Sequence, residues 1–293
     1  MRSGRYILRC VLYCASLRFR NAKTDWLQAK AQIRKDMMHL TPTEWLLGAC
    51  AALCVGLSKT GIPGVGILVV PLMASLFGGR LSVGTLLPML LFADCFAVAW
   101  YRKYTQWDKL RQLLPWVLVG LAGGAGLLWW IGESRSQKDS MNLLIGLMVL
   151  AMLGVHVLRQ RLGEQLRLTA PWAIAATGSA AGFATTVSNA AGPVMGIYLT
   201  GIGMPKEQFM GTTAWYFLLI NLSKVPVYLL LTLHQPARPF ATVLSLQFVL
   251  ALCPMILLGV FVGRWALPRI PQSQFDALVL TLAAASAIKL IFS

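Results

Sequence analysis

Lys59, Asp94 and Lys224 are ionisable side chains standing in stretches of sequence that are otherwise apolar. In such a setting an ammonium is the natural complement of an anion, while a carboxylate can exchange a proton or pair with a lysine. Two polar, glycine-rich interruptions accompany them, 56-GLSKTGIPGVG-66 and 182-GFATTVSNAAG-192. The first contains Lys59, Thr60, Gly61, Gly64 and Gly66, and the second contains Ser188, Asn189 and Gly192. A helix starting at 61–66 or 189–193 would turn unpaired N–H groups and its positive dipole end towards whatever faces it, which favours an anion. Pro63 and Pro193 have no N–H to lose and suit a first helical turn. Thr85, Thr212 and Asn221 add hydroxyl and amide groups on the segments that follow the interruptions. These twelve residues other than the prolines and Asp94 form the expected anion-binding set, with Asp94 as the candidate proton-coupling group.

Each of these residues has a plainer alternative. Glycines in apolar helices serve close packing, a lysine can reach a membrane surface by extending its stem, and threonine often bonds to its own helix backbone. Asp94 paired with a lysine would be a structural ion pair. Close packing alone does not account for Lys59, Thr60, Ser188 and Asn189 accompanying the glycines.

The elements that must position these groups follow from composition. Of 293 residues 57% are hydrophobic and 12% charged, with a mean hydropathy of +0.66. Ordinary soluble domains carry about 25% charged residues, so this chain cannot cover a water-soluble body of its size. A soluble enzyme, a secreted disulfide scaffold and a disordered chain are excluded, leaving an all-α polytopic membrane protein. The net charge of +16 lies in short gaps between apolar runs, where it orients a membrane protein; nucleic acid is not expected as a partner.

Apolar segments are expected at 43–57, 61–79, 82–103, 113–131, 140–158, 171–186, 187–201, 207–232, 240–263 and 275–292. Three of them, 43–57, 171–186 and 187–201, are short for a bilayer core that needs about 20 helical residues. The order of features repeats. Gly56, Thr60 and Gly66 fall on Gly182, Thr186 and Gly192; Gly84-Thr85 falls on Gly211-Thr212, and Asp94 on Asn221. Gly120 and Gly124 answer Gly259 and Gly263, each pair forming a small-xxx-small surface. The expected domains are a basic arm at 1–42, a first transmembrane repeat at 43–160, a linker at 161–170 and a second repeat at 171–293. Basic loops at 102–111, 159–167 and 264–270 belong on the cytoplasmic side. That makes the halves inverted repeats of about five segments each, with short broken or re-entrant helices where they meet. Residues near 40 then lie outside, so a basic arm there either lies on anionic lipid inside or reflects a true start at Met37 or Met38.

No nucleotide loop of the form G-x-x-x-x-G-K-[ST], catalytic triad or zinc-ligand spacing occurs. No cofactor or metal is expected, and transport energy must come from a gradient. With its paired glycine-rich breaks, Pro71, Gly84-Thr85, Gly211-Thr212 and GxxxG segments, the stretch 43–293 resembles the TauE/SafE sulfite exporter family, also called toluene sulfonate uptake permeases. The resemblance implies a multi-pass permease of the bacterial inner membrane that moves sulfite, sulfonates or related small anions and is not an enzyme. Its expected partners are that anion, membrane lipid, protons as a coupling ion and a further copy of the chain. Alternating access is the expected mechanism; a passive anion channel and a membrane-embedded enzyme are the rival readings.

Overall fold

The computed structural model describes residues 41–63, 65–77, 79–131, 169–189, 191–234 and 239–292. The expected arm, the segment 140–158 and the basic loop 159–167 lie outside the described residues, apart from Thr41 and Pro42 at the arm's end. The described residues form helices and connecting turns, with no strand among them.

Within residues 42–131 lie α1 (Pro42–Thr60), a 3-10 turn (Val65–Leu68), α2 (Val69–Phe77), α3 (Gly79–Tyr101) and α4 (Trp107–Ile131). From residue 171 follow α5 (Pro171–Ser188), α6 (Ala191–Gly201), α7 (Lys206–His234), α8 (Val243–Ala266) and α9 (Gln272–Phe292). Among the described residues four helical stretches are long and apolar enough to cross a membrane: Leu81–Tyr104, Trp107–Trp129, Lys206–His234 and Val243–Arg269.

Local chemistry sets several boundaries. Pro171 opens α5 from an extended Ala170, so its missing N–H costs nothing. Thr242 and Ser245 form a reciprocal capping box at the start of α8. Asn189 ends α5 in the left-handed conformation, at φ 57° and ψ 25°, with its N–H bonded to Thr185 O at 3.0 Å.

Several expected boundaries are corrected. The segment 43–57 is a longer helix, α1, whose last turn carries Lys59 and Thr60; they precede the break instead of lying inside it. The expected segment 61–79 is divided into the break, the 3-10 turn and the nine-residue α2, because Gly61, Pro63 and Gly64 follow one another too closely for a continuous helix. The loop 102–111 is shorter than expected, since α4 begins at Trp107.

Helices meet most closely where glycines leave room. A Cβ on Gly56 would stand 2.2 Å from Ile256 O, and one on Gly182 would stand 2.1 Å from Val117 O. In return, a Cβ on Gly259 would stand 2.2 Å from Leu53 O, and one on Gly120 would stand 2.0 Å from Ser179 O. Thus α1 lies against α8 and α5 against α4, each contact joining helices from different sides of the chain. The packing alternative for these glycines is realised.

The centre is the contact of α3 with α7. Gly211, near the start of α7, is set against Tyr101 O and Thr105 N at the end of α3. Leu87 of α3 clusters with Tyr228 and Leu231 of α7, so the two helices run antiparallel. At the end where α3 finishes, the Arg264 guanidinium stacks on Trp100 at 4.5 Å, and Lys206 Nζ donates to Leu267 O and Ile270 O at 3.2 and 2.6 Å. The basic stretches 102–111 and 264–270 therefore share one end of the bundle.

Candidate functional site

Each break is held by a similar set of bonds. Thr60 Oγ1 is directed at Gly56 O (3.1 Å) and Val260 O (2.7 Å), while Thr186 Oγ1 donates to Gly182 O at 2.8 Å. Tyr101 donates its hydroxyl to Thr60 O at 2.7 Å, and Tyr228 donates to Thr186 O at 2.8 Å. Helix ends leave carbonyls without intrahelical partners. Inside a bilayer no water would meet them, and the two tyrosines do so instead.

Between the breaks lies a small, partly open cavity of about 70 Å³. The last turn of α1 and the break after it contribute Ser58, Lys59, Pro63 and Gly66, and the end of α5 with the second break and the start of α6 contributes Thr185, Asn189, Gly192 and Pro193. Leu90 of α3 and five residues of α7, among them Phe217 and Asn221, complete the wall. Such a space holds a few waters or a small ion.

Charge is concentrated at and behind this wall, which Lys59 lines. Lys59 Nζ lies 2.8 Å from Asp94 Oδ1 and 3.8 Å from the centre of the Phe217 ring, a cation–π distance. Lys59 is buried, so it does not extend to a membrane surface. Asn221 Nδ2 donates to Asp94 Oδ2 at 2.6 Å. Lys224, wholly buried on α7, has three acceptors around its ammonium: Asn189 Oδ1 (2.5 Å), Thr185 Oγ1 (3.1 Å) and Thr185 O (3.3 Å). Three acceptors match the three protons of an ammonium. They also place that charge against the carbonyl end of α5, where the helix dipole favours a cation.

The remaining expected residues divide. Gly66 and Gly192 line the cavity, and a Cβ on Gly192 would meet nothing within 4 Å. Gly61 is turned away: its N–H bonds to Leu57 O at 2.9 Å, and a Cβ there would strike Gly263 backbone at 2.3 Å. Thr60 is committed to packing, and Thr85 Oγ1 back-bonds to Leu81 O at 2.6 Å. Thr212 accepts from Gln106 N at 3.0 Å, holding the approach to α4. Asn189 does not open a helix; its Nδ2 donates to Val83 O at 3.1 Å and its Oδ1 receives Lys224. Gly64 and the Ser188 side chain lie outside what the structure describes.

Thr213, a hydroxyl that its place beside Thr212 makes a candidate for the same cavity, lines it, whereas Ser58, Thr185 and Phe217 were not expected here. Thr185 was legible, since it stands where the second break repeats Lys59. Phe217 carries no such signal, because an aromatic in an apolar helix reads as lipid-facing or core. Among the described residues no group of three or more histidine, cysteine or acidic side chains is placed to hold a metal ion.

The family described as sulfite exporter TauE/SafE matches residues 47–290. No curated protein and no solved structure matches the chain.

Proposed function

We propose, from the premise that this chain belongs to the sulfite exporter TauE/SafE family and is therefore a membrane transport protein, that it is a secondary permease for sulfite, a sulfonate or a related small anion. One observation carries the reading: Lys59, Gly66, Asn189 and Gly192, drawn from the residues at two separate breaks and the helix turn before the first, line one cavity. Interrupted helices meeting at a repeat interface are where secondary transporters hold their substrates. Lys59 supplies the cation for the anion, and the start of α6 at Gly192 and Pro193 supplies a positive dipole end.

The same reading includes inverted repeats. The exchanged glycine contacts, the matching tyrosine clamps and the antiparallel run of α3 and α7 support it. Alternating access would then rock one half against the other about the Asp94–Asn221 contact, with Asp94 taking a proton when an anion draws Lys59 away. The basic stretches at one end belong on the cytoplasmic side of a bacterial inner membrane by the positive-inside rule.

Flux of labelled sulfite into proteoliposomes tests this. Uphill accumulation driven by a proton gradient is expected, and Lys59→Ala should abolish it while the protein still inserts. Flux that only ever runs downhill favours a channel, and full activity in Lys59→Ala removes Lys59 from the site.

A further inference from the structure

Asn221 occupies an unusual position on the cavity wall. Its Nδ2 is committed to Asp94, which fixes the amide so that Oδ1 is on the opposite branch. That oxygen is buried and has no hydrogen-bond partner among the described residues. A buried carbonyl oxygen without a donor is costly, and it repels a bare anionic oxygen while welcoming an O–H or N–H. Nearby, Lys59 gives one contact to Asp94 and one to the Phe217 face, leaving ammonium protons for a ligand. Among the described residues Lys59 is the one charged side chain that lines the cavity, with Asp94 and Lys224 behind the wall on Lys59 and Asn189.

We infer that the site selects a singly charged oxyanion that still carries a donor hydrogen, its charged oxygens on Lys59 and its O–H or N–H on Asn221 Oδ1. The inference rests on the anion-site reading above and narrows it: of the forms of sulfite, hydrogensulfite fits and the dianion does not. The lining ammonium of Lys59 matches one negative charge, and the orphan acceptor matches the donor. Asn221 then discriminates between anions, apart from its hold on Asp94.

Two probes of equal charge and nearly equal shape separate these ideas. Sulfamate carries an N–H donor where methanesulfonate carries a methyl group. Calorimetric titration of the purified full chain in lipid nanodiscs should give sulfamate at least about tenfold tighter binding than methanesulfonate, the scale of one buried orphaned acceptor. Sulfate, a dianion, should bind more weakly than sulfamate. In Asn221→Leu the two monoanions should bind alike. Equal affinities in the wild-type chain would overturn the inference even where Asn221→Leu fails to fold, and would leave the anion site standing. Failure of both monoanions and of sulfite to bind would instead overturn the anion-site reading itself.

Discussion

The amide nitrogen of Asn221 donates a 2.6 Å hydrogen bond to Oδ2 of Asp94, although the two residues hold the same position in the two halves of the sequence. Equivalent residues touch only where equivalent helices cross. In the inverted-repeat arrangement proposed above, the residue pair would mark the centre about which the halves are related. It also explains why the pair is not identical: two carboxylates there would repel, and two amides would give Lys59 no counter-charge.

Breaking the Lys59–Asp94 pair from one side should be worse than removing it. A buried charge left without its partner costs about 3–5 kcal/mol, while replacement of both members by apolar residues is often neutral. Lys59→Met and Asp94→Leu singly should each lower the apparent melting temperature in detergent, and the double variant should recover most of the loss. Additive losses in that double-mutant cycle would mean the two side chains are not coupled.

The tyrosine clamps should behave alike. Tyr101→Phe and Tyr228→Phe each remove one hydroxyl from a carbonyl at the end of a broken helix. Each should cost about 1–3 kcal/mol, the penalty for a buried acceptor left unpaired. Comparable falls in thermal stability for the two variants are expected; a loss in only one would argue that the breaks are held differently.

Glycine substitutions should sort by what a methyl group would strike. Gly56→Ala and Gly182→Ala drive a Cβ into carbonyl oxygens of α8 and α4, whereas Gly123→Ala meets nothing within 4 Å. Overpacking costs about 1–3 kcal/mol or more, so the first two should lose monodisperse protein on size exclusion and the third should not. Equal yields for all three would contradict the close helix crossings.

Much of this arrangement was legible because small residues leave a pattern that bulky ones do not. Gly120 and Gly259 announced their crossings through small-xxx-small spacing, whereas Gly56 and Gly182 read only as the beginnings of the breaks, and Asp94 announced itself through the cost of a charge in an apolar run. What stayed hidden was direction. Nothing in the letters says that Thr60 is committed to Val260 across the helix interface, that Thr212 faces the approach to α4, or that Asn189 adopts a left-handed conformation and holds Lys224. Those outcomes depend on which residue of a helical turn faces a neighbour. A single residue of drift moves a side chain by about 100° around a helix of 3.6 residues per turn.

Gly192 offers the sharpest separation of folding from transport. It lines the cavity at the start of α6, its Cβ position is empty of protein, and the backbone there needs no left-handed angle. A side chain at this position grows into the space proposed for the anion and not into a neighbouring helix. Gly192→Ala should therefore insert and melt like the parent, and Gly192→Leu should also fold, while anion uptake falls progressively and by roughly tenfold or more in the leucine variant as the cavity fills. The same two substitutions at Gly61, whose Cβ would strike Gly263, should destroy folding before activity can be asked about. Initial rates in proteoliposomes, normalised to folded protein by size exclusion, distinguish the two patterns. A Gly192→Leu protein that folds and transports at the parental rate would place the permeation route elsewhere.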